Sequence, residues 1–182
     1  RTVFYPQGGG QAGDAGVLAL ADGRELAVSD TRKSKLHAGG VLHVLAADAA
    51  LAVGDAVTAR IDVARREAHR RFHTATHLLC ALVPHAVDGC SITAGYARLD
   101  FHMSEPLDKE ALTAGIARLV AEAHPVSHRW ISEAELDANP GLVRSMSVQP
   151  PRSVTGLGRV RLLEIEGVDL QPCGGTHVGN TR

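Results

Sequence analysis

Residues 62–83, DVARREAHRRFHTATHLLCALV, decide the fold of this protein. The stretch contains neither glycine nor proline, Asp62 is a suitable N-cap residue, and Pro84 follows directly. Apolar side chains recur at the spacing of one helix face, at Phe72, Ala75, Leu78, Leu79 and Leu82. The sequence therefore predicts one long amphipathic helix over 62–83.

The sequence predicts strands and shorter helices on either side of this helix. Before it, apolar runs are broken by glycine, and Asp22-Gly23 is a typical hairpin turn. Strands are expected within 2–5, 17–20, 25–28, 41–45 and 56–61, a spacing that predicts a small β-barrel. After it, we expect a hairpin around Gly95, a helix over 108–123, a short helix capped by Ser132 and a strand over 159–165. The predicted fold class is α+β, with a β-barrel at 1–61 packed on an α+β domain at 62–182.

Two motifs carry the residues most suited to hold a metal ion. His73 and His77 lie four residues apart on the predicted helix, so their rings share one face. Cys173 and His177 flank a Gly-Gly-Thr run, whose glycines allow a tight turn. Three imidazoles and one thiolate are a ligand set typical of Zn²⁺ rather than Mg²⁺ or Ca²⁺. We therefore predict a zinc site here. Four protein ligands saturate a tetrahedral ion, as in structural sites, whereas a catalytic site needs an open position for water. The sequence leaves both roles open.

Two further residues of the long helix lie near the predicted metal ligands. His69 precedes His73 by one turn, and we interpret it as a phosphate or solvent contact rather than a ligand. Cys80 is interpreted as a small core residue.

Charge and composition limit the classes of partner. The formal net charge is -1, so binding to nucleic acid would need local basic patches. Three such groups are present: Arg65, Arg66, Arg70 and Arg71 on the helix; Arg32, Lys33 and Lys35; and Arg152, Arg159 and Arg161. No apolar run approaches the ~20 residues of a membrane span, and the three cysteines form no disulfide framework. A cytoplasmic location without membrane contact is expected.

Four stretches of the chain together resemble the alanyl-tRNA editing family, which includes the free-standing AlaX-type deacylases and the editing domain of alanyl-tRNA synthetase. The matching stretches are FYPQGGGQ at 4–11, HTATHLL at 73–79, RLDF at 98–101 and DLQPCGGTHV at 169–178. The resemblance implies a zinc-dependent hydrolase that removes serine, or glycine, from mischarged tRNA(Ala). It also implies that His73, His77, Cys173 and His177 are the zinc ligands.

Further roles follow from this resemblance and from the chemistry of an ester substrate. Gly8, Gly9 and Gly10 would offer backbone N–H groups to a phosphate or to the terminal adenosine, with Gln11 as a side-chain donor and acceptor. Thr93 is predicted to bind the serine hydroxyl, and Arg65, Arg66 and Arg70 are predicted to contact tRNA.

Several alternatives stay open at this point. The size favours a free-standing editing protein over an editing-domain fragment of a synthetase. A zinc hydrolase for another ester or amide, and a zinc-containing RNA-binding module without catalysis, also fit the same residues. Nothing in the sequence distinguishes a monomer from a homodimer.

Overall fold

The computed structural model describes residues 2–146, 148–150 and 158–182. In chain order its elements are β1 (Gly16–Leu20), β2 (Glu25–Val28), β3 (Asp30–Lys33), β4 (Val41–Val44), β5 (Val57–Ile61), α1 (Val63–Leu82), β6 (Val87–Ile92), β7 (Ala97–Phe101), α2 (Lys109–Ala121), β8 (Val126–Ser132), α3 (Glu133–Asp137), a 3₁₀ turn (Pro140–Leu142), β9 (Arg159–Ile165) and β10 (Asp169–Pro172). Every sheet among these residues is antiparallel, so the chain combines α-helices with antiparallel sheets.

The strands before α1 form two separate sheets, and no closed barrel is found among the described residues. β1 is central in a three-stranded sheet ordered β2-β1-β5, whereas β3 and β4 pair only with each other. The predicted hairpin at Asp22-Gly23 is confirmed, but the strand predicted at 2–5 is wrong. Instead, this segment buries Phe4 against Leu18 and Val28, which form the small core of the first sheet. Burial of Phe4 and the hydrogen bond from Tyr5 N–H to Asp14 Oδ2, rather than strand pairing, therefore hold the start of the chain.

Helix α1 confirms the prediction for 62–83. It begins where the Asp62 side chain accepts a hydrogen bond from the Arg65 backbone N–H, at 3.0 Å. The most buried stripe of α1 is not the apolar one that its periodicity indicates. Apart from Leu78, the buried residues are polar or thiol-bearing: His69, His73, Thr74, Thr76, His77 and Cys80. The face of α1 that is buried in the protein is therefore mainly its polar and thiol-bearing face, not its aliphatic one.

The second half of the chain builds the main core around α1. β9 is central in the sheet ordered β10-β9-β8, and α2 packs beside α1. Leu78 of α1 meets Leu119 of α2 and Leu163 and Ile165 of β9, with Cys173 at the edge of this cluster. The capping box at Ser132 is confirmed, since its hydroxyl and the carboxylate of Glu135 exchange hydrogen bonds with each other's backbone.

Polar contacts join the two halves of the chain close to the glycine-rich segment. Gln11 forms a parallel bridge with Ile92 of β6, and the guanidinium of Arg66 pairs with the Asp14 carboxylate. No sheet combines strands from before and after residue 61 among the described residues. A boundary at 61/62 is compatible with that topology and stays a prediction. No helix in the described part of the chain is both long and apolar enough to cross a membrane.

His69 is fully buried, so its predicted role as a phosphate or solvent contact is wrong. Neither ring nitrogen has a hydrogen-bond partner among the described residues. Burial lowers the pKa of His69 below 6.5, so the buried ring stays neutral.

We expect His69→Leu to stabilise the protein, because leucine fills a similar space without two unpartnered polar atoms. The free energy of unfolding should rise by about 1–2 kcal/mol at pH 8. The gain should widen at pH 6, since the unfolded wild type takes up a proton below pH 6.5 that the folded state does not. Urea denaturation of both proteins at the two pH values measures this, with the exposed His37→Leu as the matched control. A loss of stability in His69→Leu would contradict the prediction.

Candidate metal centre

Four side chains from two distant segments converge on one point. The ligand atoms of His73, His77, Cys173 and His177 all lie within 4.8 Å of one another, and all four residues are buried. The Cys173 Sγ atom lies 3.2 Å from Nε2 of His177 and 3.5 Å from Nε2 of His73. Bond lengths of about 2.3 Å to sulfur and 2.0–2.1 Å to nitrogen give a sulfur–nitrogen edge of about 3.5 Å around a tetrahedral zinc ion. The two sulfur–nitrogen distances in the cluster are therefore close to those around a four-coordinate zinc ion.

Each imidazole of the cluster is oriented by a hydrogen bond from its Nδ1 atom. Nδ1–H of His73 donates to Gln11 Oε1, and Nδ1–H of His77 donates to Asp169 Oδ2, both at 2.8 Å. Nδ1–H of His177 faces the Thr74 hydroxyl oxygen at 3.3 Å; the hydroxyl hydrogen itself is donated to the Arg70 carbonyl. These contacts leave the three Nε2 atoms free for a metal ion, the arrangement usual for histidine ligands.

The cluster also sets the protonation of its members. Burial opposes ionisation of Cys173, but the electrostatic influence of the adjacent His73 ring and the close contacts between the sulfur and all three imidazoles outweigh burial and lower the thiol pKa well below its usual value. Burial lowers the pKa of His177 to about 3. For His77, burial is outweighed by hydrogen bonds with Asp169 and Cys173, which raise its pKa to about 9. A thiolate beside a neutral imidazole is ready to bind a cation, which must displace a proton from His77.

The turn that carries Cys173 and His177 is held from the side of β9. The Arg161 guanidinium donates to the backbone carbonyls of Cys173 and Gly175. A Cβ atom at Gly175 would overlap the His73 ring and lie 3.1 Å from Gln11 Oε1. Glycine at this position therefore lets the turn approach the histidine of α1.

Gln11 lies behind the metal ligands rather than at the surface of the cleft. It is fully buried, its Oε1 atom accepts from Thr176 N–H at 3.0 Å as well as from His73, and its Nε2 donates to the Thr176 hydroxyl. A direct contact between Gln11 and a substrate does not fit these bonds. Gln11 connects the glycine-rich segment with both metal-binding motifs.

Three members of the cluster, His73, His77 and Cys173, line a cleft of about 450 Å³, a volume suited to a small ligand. The lining also includes Thr76 and Cys80 of α1, Gly8 and Gly9, and the hairpin residues Lys33, Ser34, Gly39 and Gly40. Burial raises the pKa of Cys90, which also faces the cleft, to about 11, so this thiol stays protonated. The cleft thus joins the glycine-rich segment to the metal-binding residues.

The glycine-rich segment forms a tight turn at this cleft. Gly8 and Gln11 exchange backbone hydrogen bonds at 3.1 Å, with Gly9 and Gly10 at φ values of 58° and 81° between them. Such a turn favours glycine at both central positions. Gly8 and Gly9 line the cleft, whereas Gly10 packs against Cys90, whose Sγ would lie 2.7 Å from a Cβ atom there.

The arginines predicted to contact tRNA make internal contacts. Arg65 donates to the Gly13 carbonyl, Arg66 pairs with Asp14, and Arg70 bonds the His177 carbonyl and Glu67. Arg161 of the third basic group is engaged at the turn, and Arg152 lies outside the described residues. A role for these arginines in tRNA binding stays a prediction, which their contacts do not favour.

Thr93 occupies the turn between β6 and β7. Its hydroxyl donates to the Tyr96 carbonyl at 3.1 Å and accepts from the N–H groups of Gly95 and Tyr96. It is not among the residues that line the cleft. Its predicted contact with a serine hydroxyl remains untested, and in this structure its bonds stabilise the turn.

Sequence reasoning overlooked the partners that orient the ligands, above all Asp169. Each of its two carboxylate oxygens accepts one hydrogen bond. Oδ2 accepts from His77 Nδ1–H, and Oδ1 accepts from Gln171 Nε2 at 2.8 Å. The signal was present in the sequence, because an acidic residue four positions before Cys173 is a ready partner for a metal-binding histidine. Thr74, between the two histidines of α1, could have been recognised in the same way.

We expect Asp169→Asn to weaken metal binding by about 10- to 100-fold. Asparagine keeps the shape, but its NH₂ group must face either His77 Nδ1–H or Gln171 Nε2–H, so one acceptor is lost. Competition with a chromophoric chelator measures the affinity. Asp88→Asn is the matched control, because Asp88 pairs with the exposed His102 at 3.0 Å outside the centre. Equal affinities of Asp169→Asn and wild type would contradict this assignment.

Comparison with known protein families gives matches at both ends of the chain. Residues 1–65 match the family described as tRNA synthetases class II (A). Residues 160–182, which include Cys173 and His177, match the threonyl and alanyl tRNA synthetase second additional domain.

Whole-chain relatives are of two kinds. An alanine–tRNA ligase from Metallosphaera sedula is 37% identical over 190 residues, covering 100% of this chain and 20% of the ligase. The chain thus spans about one fifth of the length of the ligases that it matches. The alanyl-tRNA editing proteins AlaX-M from Methanosarcina barkeri and Methanosarcina mazei are 34% and 33% identical, with 100% of this chain covering 76% and 74% of their lengths. By this similarity over its whole length, the chain belongs to the alanyl-tRNA editing family.

Proposed function

We propose that this protein hydrolyses the ester bond of mischarged tRNA(Ala), removing serine or glycine, and that its ion is zinc. The observation that carries the proposal is the convergence of His73, His77, Cys173 and His177, of which the first three line the cleft. The family relationship to AlaX-M proteins supports the substrate class, and the three-nitrogen, one-sulfur donor set supports zinc.

Different residues of the chain would have different roles in such a reaction. When bound, zinc would supply a fixed positive charge that helps to orient the ester. Gln11, Asp169 and Thr74 hold the three imidazoles and so keep the reacting end of the cleft rigid. The turn at Gly8 and Gly9 lines the same cleft, and the terminal adenosine would lie beside it. An aminoacyl ester is intrinsically labile, so positioning it and a water molecule accounts for much of the required rate.

Deacylation of purified Ser-tRNA(Ala) and Gly-tRNA(Ala), followed by release of the labelled amino acid, tests the proposal. We expect hydrolysis that stops after chelation and returns with added Zn²⁺, while correctly charged Ala-tRNA(Ala) is spared. Zinc-loaded protein that binds tRNA but leaves the ester intact would instead indicate an RNA-binding module with a structural zinc. Hydrolysis of simple esters without any preference for tRNA would indicate a hydrolase for another substrate.

A further inference from the structure

We propose that Lys33 and the backbone N–H of Gly9 form a phosphate-binding site in the lining of the cleft, which takes the phosphodiester next to the 3′-terminal nucleotide of the RNA. The identification of the phosphate as that of RNA rests on the proposed function. The binding site itself rests on contacts around Lys33 and the glycine turn.

The Lys33 ammonium lies against the glycine turn. It is the last residue of β3, lines the cleft, and would lie 3.0 Å from a Cβ atom at Gly8. The exposed Lys33 has no carboxylate partner within salt-bridge distance in the described part of the chain, whereas its neighbour Arg32 pairs with Asp30 at 2.7 Å. Lys33 therefore carries an uncompensated positive charge at the edge of the cleft.

The turn beside Lys33 supplies unused backbone donors. The N–H groups of Gly9 and Gly10 donate to no acceptor among the described residues, and Gly9 is exposed at the cleft. A backbone N–H beside an ammonium group is a common way to bind a phosphate oxygen. The two groups together complement one phosphodiester better than either does alone.

Among the described residues, the lining of the cleft contains one further lysine or arginine, and the protein engages it. Arg144, which also lines the cleft, donates to the carbonyls of Val83 and His85. The α1 arginines 65, 66 and 70 hold Gly13, Asp14 and the His177 carbonyl. Lys33 is therefore more available to bind a phosphate at this cleft than these four arginines are.

Binding of two unacylated ligands to zinc-loaded protein tests the site without requiring hydrolysis. The ligands are the trinucleotide CCA, which contains the phosphodiester, and adenosine, which does not. By calorimetry, Lys33→Met should weaken CCA binding about tenfold and reduce the slope of log affinity against log salt by about 0.7. Adenosine binding and zinc content should not change, which shows that the variant is folded.

Two variants control for general electrostatics. Lys35→Met removes a positive charge that is exposed on the same hairpin but does not line the cleft, and should leave CCA binding unchanged. Lys33→Arg keeps the charge and should retain most of the affinity. Unchanged CCA binding by Lys33→Met, or an equal loss in Lys35→Met, would overturn the phosphate site.

The failure of this site can be distinguished from failure of the proposed function. If wild type deacylates Ser-tRNA(Ala) while Lys33→Met binds CCA normally, the phosphate site is wrong and the activity stands. If Lys33-dependent binding of CCA occurs without hydrolysis of either mischarged tRNA, the site stands and the deacylase proposal is wrong. If wild type binds CCA no better than adenosine, the phosphate site is wrong whatever the activity.

Discussion

Replacing Cys173 with alanine should remove the bound metal and with it the hydrolytic activity. The thiolate is the anionic member of the cluster, because neighbouring imidazoles lower its pKa well below the usual value and it lies 3.2–3.5 Å from two of them. Without it, three imidazoles would bind a divalent ion with no compensating charge. We expect the metal affinity to fall at least about 100-fold and deacylation to fall about 100- to 1,000-fold, the equivalent of several kcal/mol.

The matched control for Cys173 is Cys90→Ala in the same cleft. Cys90 also faces the cleft, but its pKa is raised to about 11 and it is not part of the metal cluster. Zinc analysis after dialysis, together with the deacylation rate on Ser-tRNA(Ala), should therefore separate the two variants. Similar behaviour of the two alanine variants, with metal and activity retained in both, would remove Cys173 from the proposed centre.

Replacing Gly175 with alanine should be almost as damaging, although it adds only one methyl group. That methyl would overlap the His73 ring, which cannot retreat because Gln11 holds its Nδ1 atom from behind. The backbone at Gly175 does not lie in the left-handed region, so the effect is steric and not conformational. We expect the metal affinity to fall about 10- to 100-fold, as for loss of a residue that orients a ligand.

Gly179→Ala gives the comparison for Gly175, since a Cβ atom there meets nothing within 4 Å. In the chelator competition, we expect the metal affinity of Gly179→Ala to equal that of wild type and the metal affinity of Gly175→Ala to be much lower. The double variant Gly175→Ala, His73→Ala should bind metal no more weakly than His73→Ala alone, because the collision is then absent. Additive losses in the double variant would mean that Gly175 acts elsewhere.

The local sequence was sufficient to predict those helices and strands that are specified by a cap, a turn or a periodic pattern within a few residues. The absence of glycine and proline over 62–83 and the cap at Asp62 predict α1, and the Asp22-Gly23 turn predicts the first hairpin. The short strands β3, β8 and β10 were missed, because their pairing partners, rather than their own residues, determine them. Local pattern also failed at 2–5, where burial of Phe4 prevails over strand propensity.

The metal-binding residues could be recognised from the sequence alone, because ligand chemistry is a property of residue type and spacing. Two imidazoles one helical turn apart, and a thiolate and imidazole across a glycine turn, are strong signals even when about 100 residues separate them. The motifs and the family resemblance together predicted the cluster that the structure forms.

Only the tertiary structure decided which polar residues face the substrate and which hold the site together. Gln11, Arg66 and Arg70 look like substrate contacts in the sequence, yet they are buried or bonded to protein atoms. Asp169 was overlooked and Lys33 was recognised only as one member of a basic group, yet one orients a ligand and the other lines the cleft. The physical reason is that residue type determines what a side chain can bind, whereas its long-range neighbours determine whether that capacity is already used.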